Sequence, residues 1–409
     1  MGKQLSTGRN DVSSKLASYR NPDSKAYNAI LISKPPAQDA APIAIPGYDA
    51  VPIANLPVEV WNQIFELGPR ETLRDINDYA NTNAPASVPF HVAVTHVCRR
   101  WREIAAQNPF LWTRVAVDFS RSTRLARLYL ERSRNAELDI RVLIRHEAQV
   151  KSFASMLLAD MKRCRDLNMS FRGYRAAFTA FHSLQQASVP VLRVCKMVVE
   201  SDMIHFEHGA AFAPPSWLFA GGTPMLSSLR LNGISALGCR IHLHTVTHLE
   251  LKVDLFARQL SFKDASSILL EASPILTHLT LDGYVISHLL GIQTPSLKLP
   301  ALTSLDLCLP FARNGPRHHD VLSQHYIPFL WQFLRVPSLE RLSLFNLSEV
   351  QLHDTAVAVG QQRVSGHAGV THLSLDGIGI RGTLNTEDLT FLCPNIVELK
   401  IRGEHHRRW

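Results

Sequence analysis

Cysteine is scarce in this chain, and its spacing excludes two kinds of site. The six cysteines are widely scattered and form no C-x-x-C pair: they are Cys98, Cys164, Cys195, Cys239, Cys308 and Cys393. A zinc site or a disulfide framework needs cysteines at close and regular spacing, so neither is predicted. Unpaired thiols are typical of reducing compartments, and we therefore expect a cytoplasmic or nuclear protein.

Long apolar runs and the common catalytic motifs are also missing. No stretch of about 18 apolar residues occurs and no charged-then-apolar leader opens the chain, so neither a membrane span nor secretion is expected. There is no Walker A loop, no G-x-S-x-G and no H-E-x-x-H. Residues 377–382 match G-x-G-x-x-G, but Leu-Asp-Gly at 281–283 shows that the first glycine belongs to a repeat. We expect no enzyme, no cofactor and no metal.

The composition is that of a folded protein. Of 409 residues, 46% are apolar and 19% are charged. This composition is typical of globular proteins. This length exceeds the roughly 250–300 residues of a single core, so two or more folded units are expected. The net charge of +8 favours acidic partners. Because neither an aromatic platform nor a groove-reading helix accompanies the arginines, we interpret them as a solvated face, and a nucleic-acid partner is not favoured.

The first fifty residues have no periodic pattern. Five prolines occur there among Ser, Asn, Lys and Ala, and we predict a disordered segment over residues 1–50. Met1-Gly2-Lys3-Gln4-Leu5-Ser6 fits the N-myristoylation pattern with Gly2 as acceptor. So short a motif arises by chance, and one myristoyl chain binds membranes only marginally, so no membrane association is expected.

Two amphipathic helices are predicted between residues 53 and 118. Val60, Ile64 and Leu67 recur at helical spacing after Leu56-Pro57, and Trp61 and Phe65 stand beside them. A second helix follows from the spacing of Val94, Val97, Trp101 and Ile104 and ends at Asn108-Pro109. Val115, Val117 and Phe119 then alternate as in a short strand. The segment holds many large apolar residues for its size, and such a surplus marks a partner site unless it only fills a core.

The order of these motifs resembles an F-box domain, in the form common in large fungal families. The matching motifs are Leu56-Pro57-x-Glu59, Ile64-Phe65, Val97-Cys98-x-x-Trp101-Arg102-x-Ile104-Ala105 and Pro109-x-Leu111-Trp112. An insert of roughly twenty residues from Arg70 to Pro89 departs from the pattern. The resemblance implies binding to the adaptor Skp1 and, through it, to a cullin-based ubiquitin ligase. The contacts that it implies are Leu56, Pro57, Val60, Ile64, Phe65, Val97, Cys98 and Trp101, each of which could instead be a core residue.

The rest of the chain repeats the template P-x-L-x-x-L-x-L. Eight copies occur, and their first residues are Pro190, Pro224, Val246, Pro274, Pro300, Pro337, Val370 and Pro394. Each L-x-L is a short strand whose leucines point inward. Helix-like stretches lie between the copies, so the strands are expected to stack into one parallel sheet along a solenoid. Residues 138–142 and 167–171 carry two further strand patterns.

This pattern resembles the leucine-rich repeat family in a degenerate form, because the repeat length varies and the usual Asn or Cys is missing. The predicted fold class is thus an α+β or α/β solenoid, with a small helical F-box module ahead of an irregular leucine-rich-repeat domain that has a stacked parallel sheet. The predicted domains are the disordered segment 1–50, the F-box domain 51–119, a connecting helix with the further strands at 120–188, and the repeats at 189–409.

Polar residues beside the inner leucines form a candidate target-binding face. The candidates are Arg230, His248, Glu250, His278, Asp306, Arg341, His372 and Lys400. Any solvated sheet face has a similar mixture, so the pattern alone identifies no contact. Thr-His-Leu recurs at His248, His278 and His372, and His242 and His244 lie close by, but no carboxylate or cysteine joins these histidines at ligand spacing.

These features predict the substrate-recognition subunit of a Skp1–cullin–F-box ubiquitin ligase. The F-box would bind Skp1, and the repeats would hold an unidentified substrate protein. The alternative from another class is a repeat scaffold that binds a protein or other acidic partner without any ubiquitin role.

Overall fold

The computed structural model describes residues 56–68, 89–119, 122–200, 217–234, 240–253, 259–287, 296–309, 320–347, 349–361, 369–378 and 393–403. Four sequence features lie outside these ranges: the predicted disordered segment 1–50, Gly2, most of the insert after Arg70, and the second and third glycines of the G-x-G-x-x-G match. No helix within the described ranges is long and apolar enough to cross a bilayer. None of the five cysteines within them forms a disulfide.

A small helical module comes first. It consists of α1 (Val58–Glu66), α2 (Phe90–Thr95), α3 (Arg99–Gln107) and a 3₁₀ helix (Pro109–Trp112). The helix α1 begins at Val58, directly after Pro57, a place where the missing N–H of proline costs no helical hydrogen bond. Asn108 separates α3 from the 3₁₀ helix and has an extended backbone.

Within the described ranges, eleven parallel strands form one sheet in chain order. They are β1 (Arg114–Asp118), β2 (Leu138–Ile144), β3 (Cys164–Arg172), β4 (Val194–Glu200), β5 (Ser228–Asn232), β6 (His248–Lys252), β7 (His278–Asp282), β9 (Ser304–Cys308), β11 (Arg341–Phe345), β12 (His372–Ile378) and β13 (Glu398–Gly403). The short strands β8 (Leu297–Lys298) and β10 (Leu334–Arg335) pair separately. All eight template copies are strands of the sheet, and the two further strand patterns are β2 and β3.

Helices occupy several of the connections between strands. They are α4 (Arg124–Arg132), α5 (Ala148–Leu157), a 3₁₀ helix (Leu158–Arg163), α6 (Tyr174–Leu184), α7 (Phe262–Ala272), α8 (Asp320–Phe333) and α9 (Glu349–Gln361). Parallel neighbours need crossover connections, and these helices supply them. The small helical region followed by a large parallel sheet is consistent with an α/β solenoid-like arrangement.

Stacked leucines explain why the strands pair in this register. Leu249 lies directly opposite Leu229 on one side and Leu279 on the other, and all three are at most 2% exposed. Each strand buries its leucines against those of the neighbouring copies, so a slip of one residue would turn them toward solvent. The last strand has fewer neighbours, and its Leu399 and Ile401 are 42% and 45% exposed.

A ladder of threonine hydroxyls joins successive copies at the start of the strands. The hydroxyl of Thr277 donates to the carbonyl oxygen of Thr247 at 3.0 Å, and that of Thr303 donates to the carbonyl oxygen of Thr277 at 3.2 Å. Thr247 makes the same bond to Ser227 at 3.1 Å. The threonine of the Thr-His-Leu pattern therefore has a structural role in the array.

The position two residues after the second inner leucine turns the chain with a positive φ in four copies. Gly233, Gly283 and Gly377 have φ values of 69°, 90° and 65°, and Asn346 has 60° at the equivalent place. A methyl group at Gly283 would lie 2.1 Å from the carbonyl oxygen of Val253, so space also demands glycine there. The first glycine of the G-x-G-x-x-G match is such a turn residue.

The helical module and the sheet share a core at Trp112. This indole is 1% exposed and packs edge-on against the rings of His91 from α2 and Tyr129 from α4, at 5.3 Å and 5.1 Å between centroids. His91 Nε2 lies 2.6 Å from the Tyr129 hydroxyl oxygen. The guanidinium of Arg132 covers the Trp112 ring at 4.4 Å. The module therefore packs directly onto the first layer of the sheet.

Candidate functional site

The helix α1 has one apolar side in the core and a second apolar side in solvent. Trp61 and Phe65 are each 2% exposed. Val60, Ile64 and Leu67 recur at intervals of four and three and therefore share a different side of the same helix. Ile64 is 40% exposed and Leu67, one residue past the helix end, is 85% exposed. We call these three residues the outer stripe.

An aromatic cluster fixes which side of α1 faces inward. The ring of Trp101, on α3, lies 4.8 Å from that of Trp61 and 5.3 Å from that of Phe65, measured between centroids. Trp61 and Phe65 are themselves 5.6 Å apart. Tilted and edge-on contacts of this kind add stability beyond their buried area. The cluster turns Phe65 into the interior of the module, leaves Trp101 half-buried and directs the outer stripe away from α3.

The turn between α2 and α3 carries a second exposed apolar residue. Val97 is 60% exposed. The next residue, Cys98, is exposed too, and its sulfur accepts a hydrogen bond from the Trp101 backbone N–H at 3.4 Å as the N-cap of α3. Arg102 Nε donates to the Thr95 carbonyl oxygen at 2.8 Å across the same turn. These bonds hold the turn in the conformation that exposes Val97.

A buried asparagine ties α1 to the end of α3. Asn108 is 4% exposed, and its side-chain amide donates to Asn62 Oδ1 at 3.2 Å and to Glu66 Oε1 at 3.1 Å. Its own oxygen accepts the Phe110 backbone N–H at 3.0 Å. This last bond starts the 3₁₀ helix in which Trp112 points inward and Phe110 outward, with 65% of Phe110 exposed.

The eight predicted partner contacts differ in how deeply they are buried. Pro57, Ile64, Val97 and Cys98 are exposed, Leu56, Val60 and Trp101 are half-buried, and Phe65 is in the core. Sequence reasoning did not select the exposed apolar side chains of Val58, Leu67 and Phe110. Helical spacing already groups Leu67 with Val60 and Ile64. Phe110, by contrast, carries no signal that separates it from Trp112.

Residues 53–118 match the F-box-like family model. The match spans the helical module and the first strand of the sheet, and it supports an F-box protein. An F-box-like domain suggests an adaptor role in ubiquitin ligase complexes, and F-box domains typically bind Skp1. A search of curated proteins finds no match to this chain.

Beyond the F-box-like domain, the register of the sheet brings the candidate target-binding residues together in two rows. His248 lies opposite His278, and Arg341 lies opposite His372. The second row holds the residues between the inner leucines. The candidates in this row are Arg230, Glu250, Asp306 and Lys400. All eight candidates lie on the face opposite the inner leucines, because successive side chains of a strand alternate.

Several members of this polar face already interact with one another. Arg230 Nε lies 3.4 Å from Glu250 Oε2, and the Thr280 hydroxyl donates to Asp306 at 3.2 Å. Farther along the array, Glu398 lies 3.6 Å from His372 Nε2 and 2.9 Å from Lys400 Nζ. Exposed pairs of this kind cost little to break, so a bound partner can replace them.

Each histidine of the Thr-His-Leu pattern lies within hydrogen-bond distance of the threonine that precedes it. The Thr277 hydroxyl lies 2.8 Å from His278 Nδ1, and Thr247 and Thr371 lie at 2.9 Å and 2.8 Å from their own histidines. Each of these hydroxyls also donates to a backbone carbonyl oxygen of the preceding copy, so the threonine links its histidine to that copy.

His248 and His278 stack with their ring centroids 4.1 Å apart and their planes 9° apart. Burial lowers the pKa of His248, and the neighbouring His278 and Arg230 lower it further. Parallel rings direct their Nε2 atoms side by side instead of toward a common point, so this pair has poor geometry for a shared metal. It offers two adjacent polar ring atoms to a partner instead.

Proposed function

We propose that this protein is the substrate-recognition subunit of a Skp1–cullin–F-box ubiquitin ligase. The outer stripe of α1 carries the proposal. A helix that fills its own core with Trp61 and Phe65 has no internal use for a second apolar side, and exposed apolar surface of this kind is typical of a helix-in-groove interface. It lies within the segment that matches the F-box-like model.

In this proposal Skp1 covers the outer stripe together with Val97 and links the chain to a cullin. Pro57 and Cys98 are also exposed and would be available to Skp1. Leu56, Val60 and Trp101 would contribute their exposed parts. Phe65 would support the interface from beneath and would not contact Skp1 directly, since it is 2% exposed.

The sheet would act as a leucine-rich-repeat type of receptor that holds a substrate protein on its polar face. The shared core at Trp112 supports separate sites for the substrate and for the partner on α1, because it would hold the two at a defined distance from each other. The rate gain would come from proximity, with a ubiquitin-charged enzyme of the complex reaching the lysines of the bound protein.

The chain itself would do no chemistry. Burial raises the pKa of the Cys308 and Cys393 thiols to about 12. That is the opposite of what a nucleophilic thiolate requires. Such a receptor works in the cytoplasm or the nucleus, where ubiquitin ligases and reduced cysteines are found together.

The test is a calorimetric titration of the purified chain with Skp1. The variant Ile64→Ser/Val97→Ser removes two exposed side chains, and we expect it to weaken binding at least tenfold, since central apolar anchors typically contribute about 2 kcal/mol or more each. Leu270→Ser is the matched control, because Leu270 is 56% exposed on α7, outside the F-box-like domain.

Unchanged affinity of a folded Ile64→Ser/Val97→Ser variant would refute the proposed interface. Capture of the intact chain from cells then separates the two function classes. Cullin recovered together with Skp1 supports a ligase subunit, whereas Skp1 alone, or neither protein, favours the repeat scaffold without a ubiquitin role.

A further inference from the structure

Two histidines stand side by side on the segment that leads into β6. Ile241 and Leu243 are each 4% exposed and anchor this segment in the core. His242 and His244 alternate with them and therefore project to the other side, where His242 is half-buried and His244 is exposed. The ring of His242 is held by stacking on Trp217, with centroids 4.3 Å apart and planes 8° apart.

The helix α7 brings a carboxylate to the same place. Glu271 lies in the last turn of α7, and its Oε1 accepts the backbone N–H of Leu243 at 2.8 Å. Leu243 is the residue between the two histidines, so this bond holds the carboxylate beside both of them. Glu271 Oε1 lies 3.9 Å from His242 Nδ1. One potential ligand atom from each of the three side chains lies within 4.8 Å of the other two.

We propose that His242, His244 and Glu271 bind a divalent transition-metal ion, with Zn²⁺ as the best fit. Two imidazoles and one carboxylate are a common zinc ligand set, and metal–ligand bonds are about 2.0–2.2 Å long. Ligand atoms within 4.8 Å of one another reach such an ion after small side-chain rotations. The bond from Leu243 to Glu271 is the kind of outer-shell contact that orients a ligating carboxylate.

Three protein ligands leave a fourth coordination position for water or for a donor from a bound partner. Glu271 also lines a cavity of about 240 Å³ together with Ile241 and Leu243, but neither histidine lines this cavity. Because His244 is exposed, such a donor would reach the ion from solvent on the side of the histidines.

The test is a Co²⁺ titration of the full-length chain after treatment with a chelator, followed by visible absorption, with Zn²⁺ added afterwards as competitor. The chain has 19 histidines, so the variants must locate any binding. We expect one tight equivalent of Co²⁺, which Zn²⁺ displaces. His244→Asn and Glu271→Gln should each weaken it at least about tenfold, as the loss of even an outer-shell group does.

Two features make the outcome decisive. Glu271→Gln keeps an acceptor for the Leu243 N–H, so it removes ligand charge while the local fold is retained. His278→Asn is the matched control, because it removes a histidine of the neighbouring stacked pair and should leave the tight equivalent unchanged. Absence of tight binding, wild-type affinity in the two site variants, or loss of binding in His278→Asn would each overturn the proposal.

Discussion

The helical module and the sheet use apolar side chains in opposite ways. In the sheet, from β5 to β12, the inner leucines of every copy are at most 4% exposed, and the other face is polar. In the module, Ile64, Val97 and Phe110 stand 40% to 65% exposed beside a core of their own. The repeat strands bury their leucines, whereas the module leaves apolar side chains exposed that do not pack in its own core.

This contrast separates two kinds of recognition. Apolar side chains that lose water on contact supply affinity with little dependence on partner sequence. Charged and hydrogen-bonding groups contribute more to selectivity than to affinity. Apolar contacts would suit a constant partner on the module, and polar contacts would suit a selected partner on the sheet.

Substitution of neighbouring residues on α1 should give the largest effect. Phe65→Ala should lower the free energy of unfolding by about 3–5 kcal/mol, because it leaves a cavity beside Trp61 and Trp101. Ile64→Ala should change it by less than about 1 kcal/mol, since its side chain is 40% exposed. Urea denaturation of the purified chain measures both values.

The same pair should show the reverse order in Skp1 binding when each variant is measured under conditions in which it is folded. Ile64→Ala should weaken Skp1 binding more than Phe65→Ala. If Ile64→Ala destabilised the chain as strongly as Phe65→Ala, the outer stripe would be part of the core and the contrast between the two regions would disappear.

A second pair compares the middle of the array with its last strand. Leu305 is fully buried in β9, and Leu305→Ala should cost about 2–5 kcal/mol of stability. Leu399 occupies the same template position in β13 but is 42% exposed, so Leu399→Ala should cost about 1 kcal/mol or less. Thermal unfolding of both variants checks this difference. Equal losses would mean that β13 is as well covered as the interior strands.

The sheet was predictable from sequence because its rule is local and repeated. The spacing P-x-L-x-x-L-x-L placed every strand from β4 to β13 that belongs to the large sheet, and in-register stacking follows once the leucines must be buried. Ile64 and Phe65 were not separable in the same way. Both are apolar and adjacent, and only the packing of α1 on Trp101 decides which one faces inward.

The proposed metal ligands show the same limit of local patterns. His242 and His244 were visible as a pair, but Glu271 is contributed by α7, which sequence spacing does not connect to them. The bond between Glu271 and the Leu243 N–H depends on how that helix lies against the segment before β6. A ligand set whose members lie on different elements of a crossover connection can be recognised only from the three-dimensional structure.

Acid should weaken the contact between the two regions at His91. Burial and, to a smaller extent, the charge of Arg114 lower the pKa of His91 to about 4 from 6.5. The folded protein therefore binds this proton less tightly than the unfolded chain, and stability is lost as the pH falls below about 6.5 toward 4. Between pH 7.5 and pH 5 this loss amounts to about 2 kcal/mol.

His91→Gln isolates this contribution, because glutamine still offers a polar group to the Tyr129 hydroxyl but does not titrate. Urea denaturation at both pH values should show a smaller acid loss in the variant, by about 2 kcal/mol. An identical loss in both proteins would show that His91 is not held neutral at the boundary between the module and the sheet.

The smallest effect is expected on the polar face of the sheet. Arg230 and Glu250 are 54% and 37% exposed, and their charged atoms are 3.4 Å apart. A double-mutant cycle with Arg230→Gln and Glu250→Gln should give a coupling of only about 0.2–1 kcal/mol, and added salt should reduce it. Unfolding of the four proteins in urea measures it. A coupling above about 2 kcal/mol would mean that these charges hold neighbouring strands together, in which case they could not exchange their contacts for those of a bound substrate.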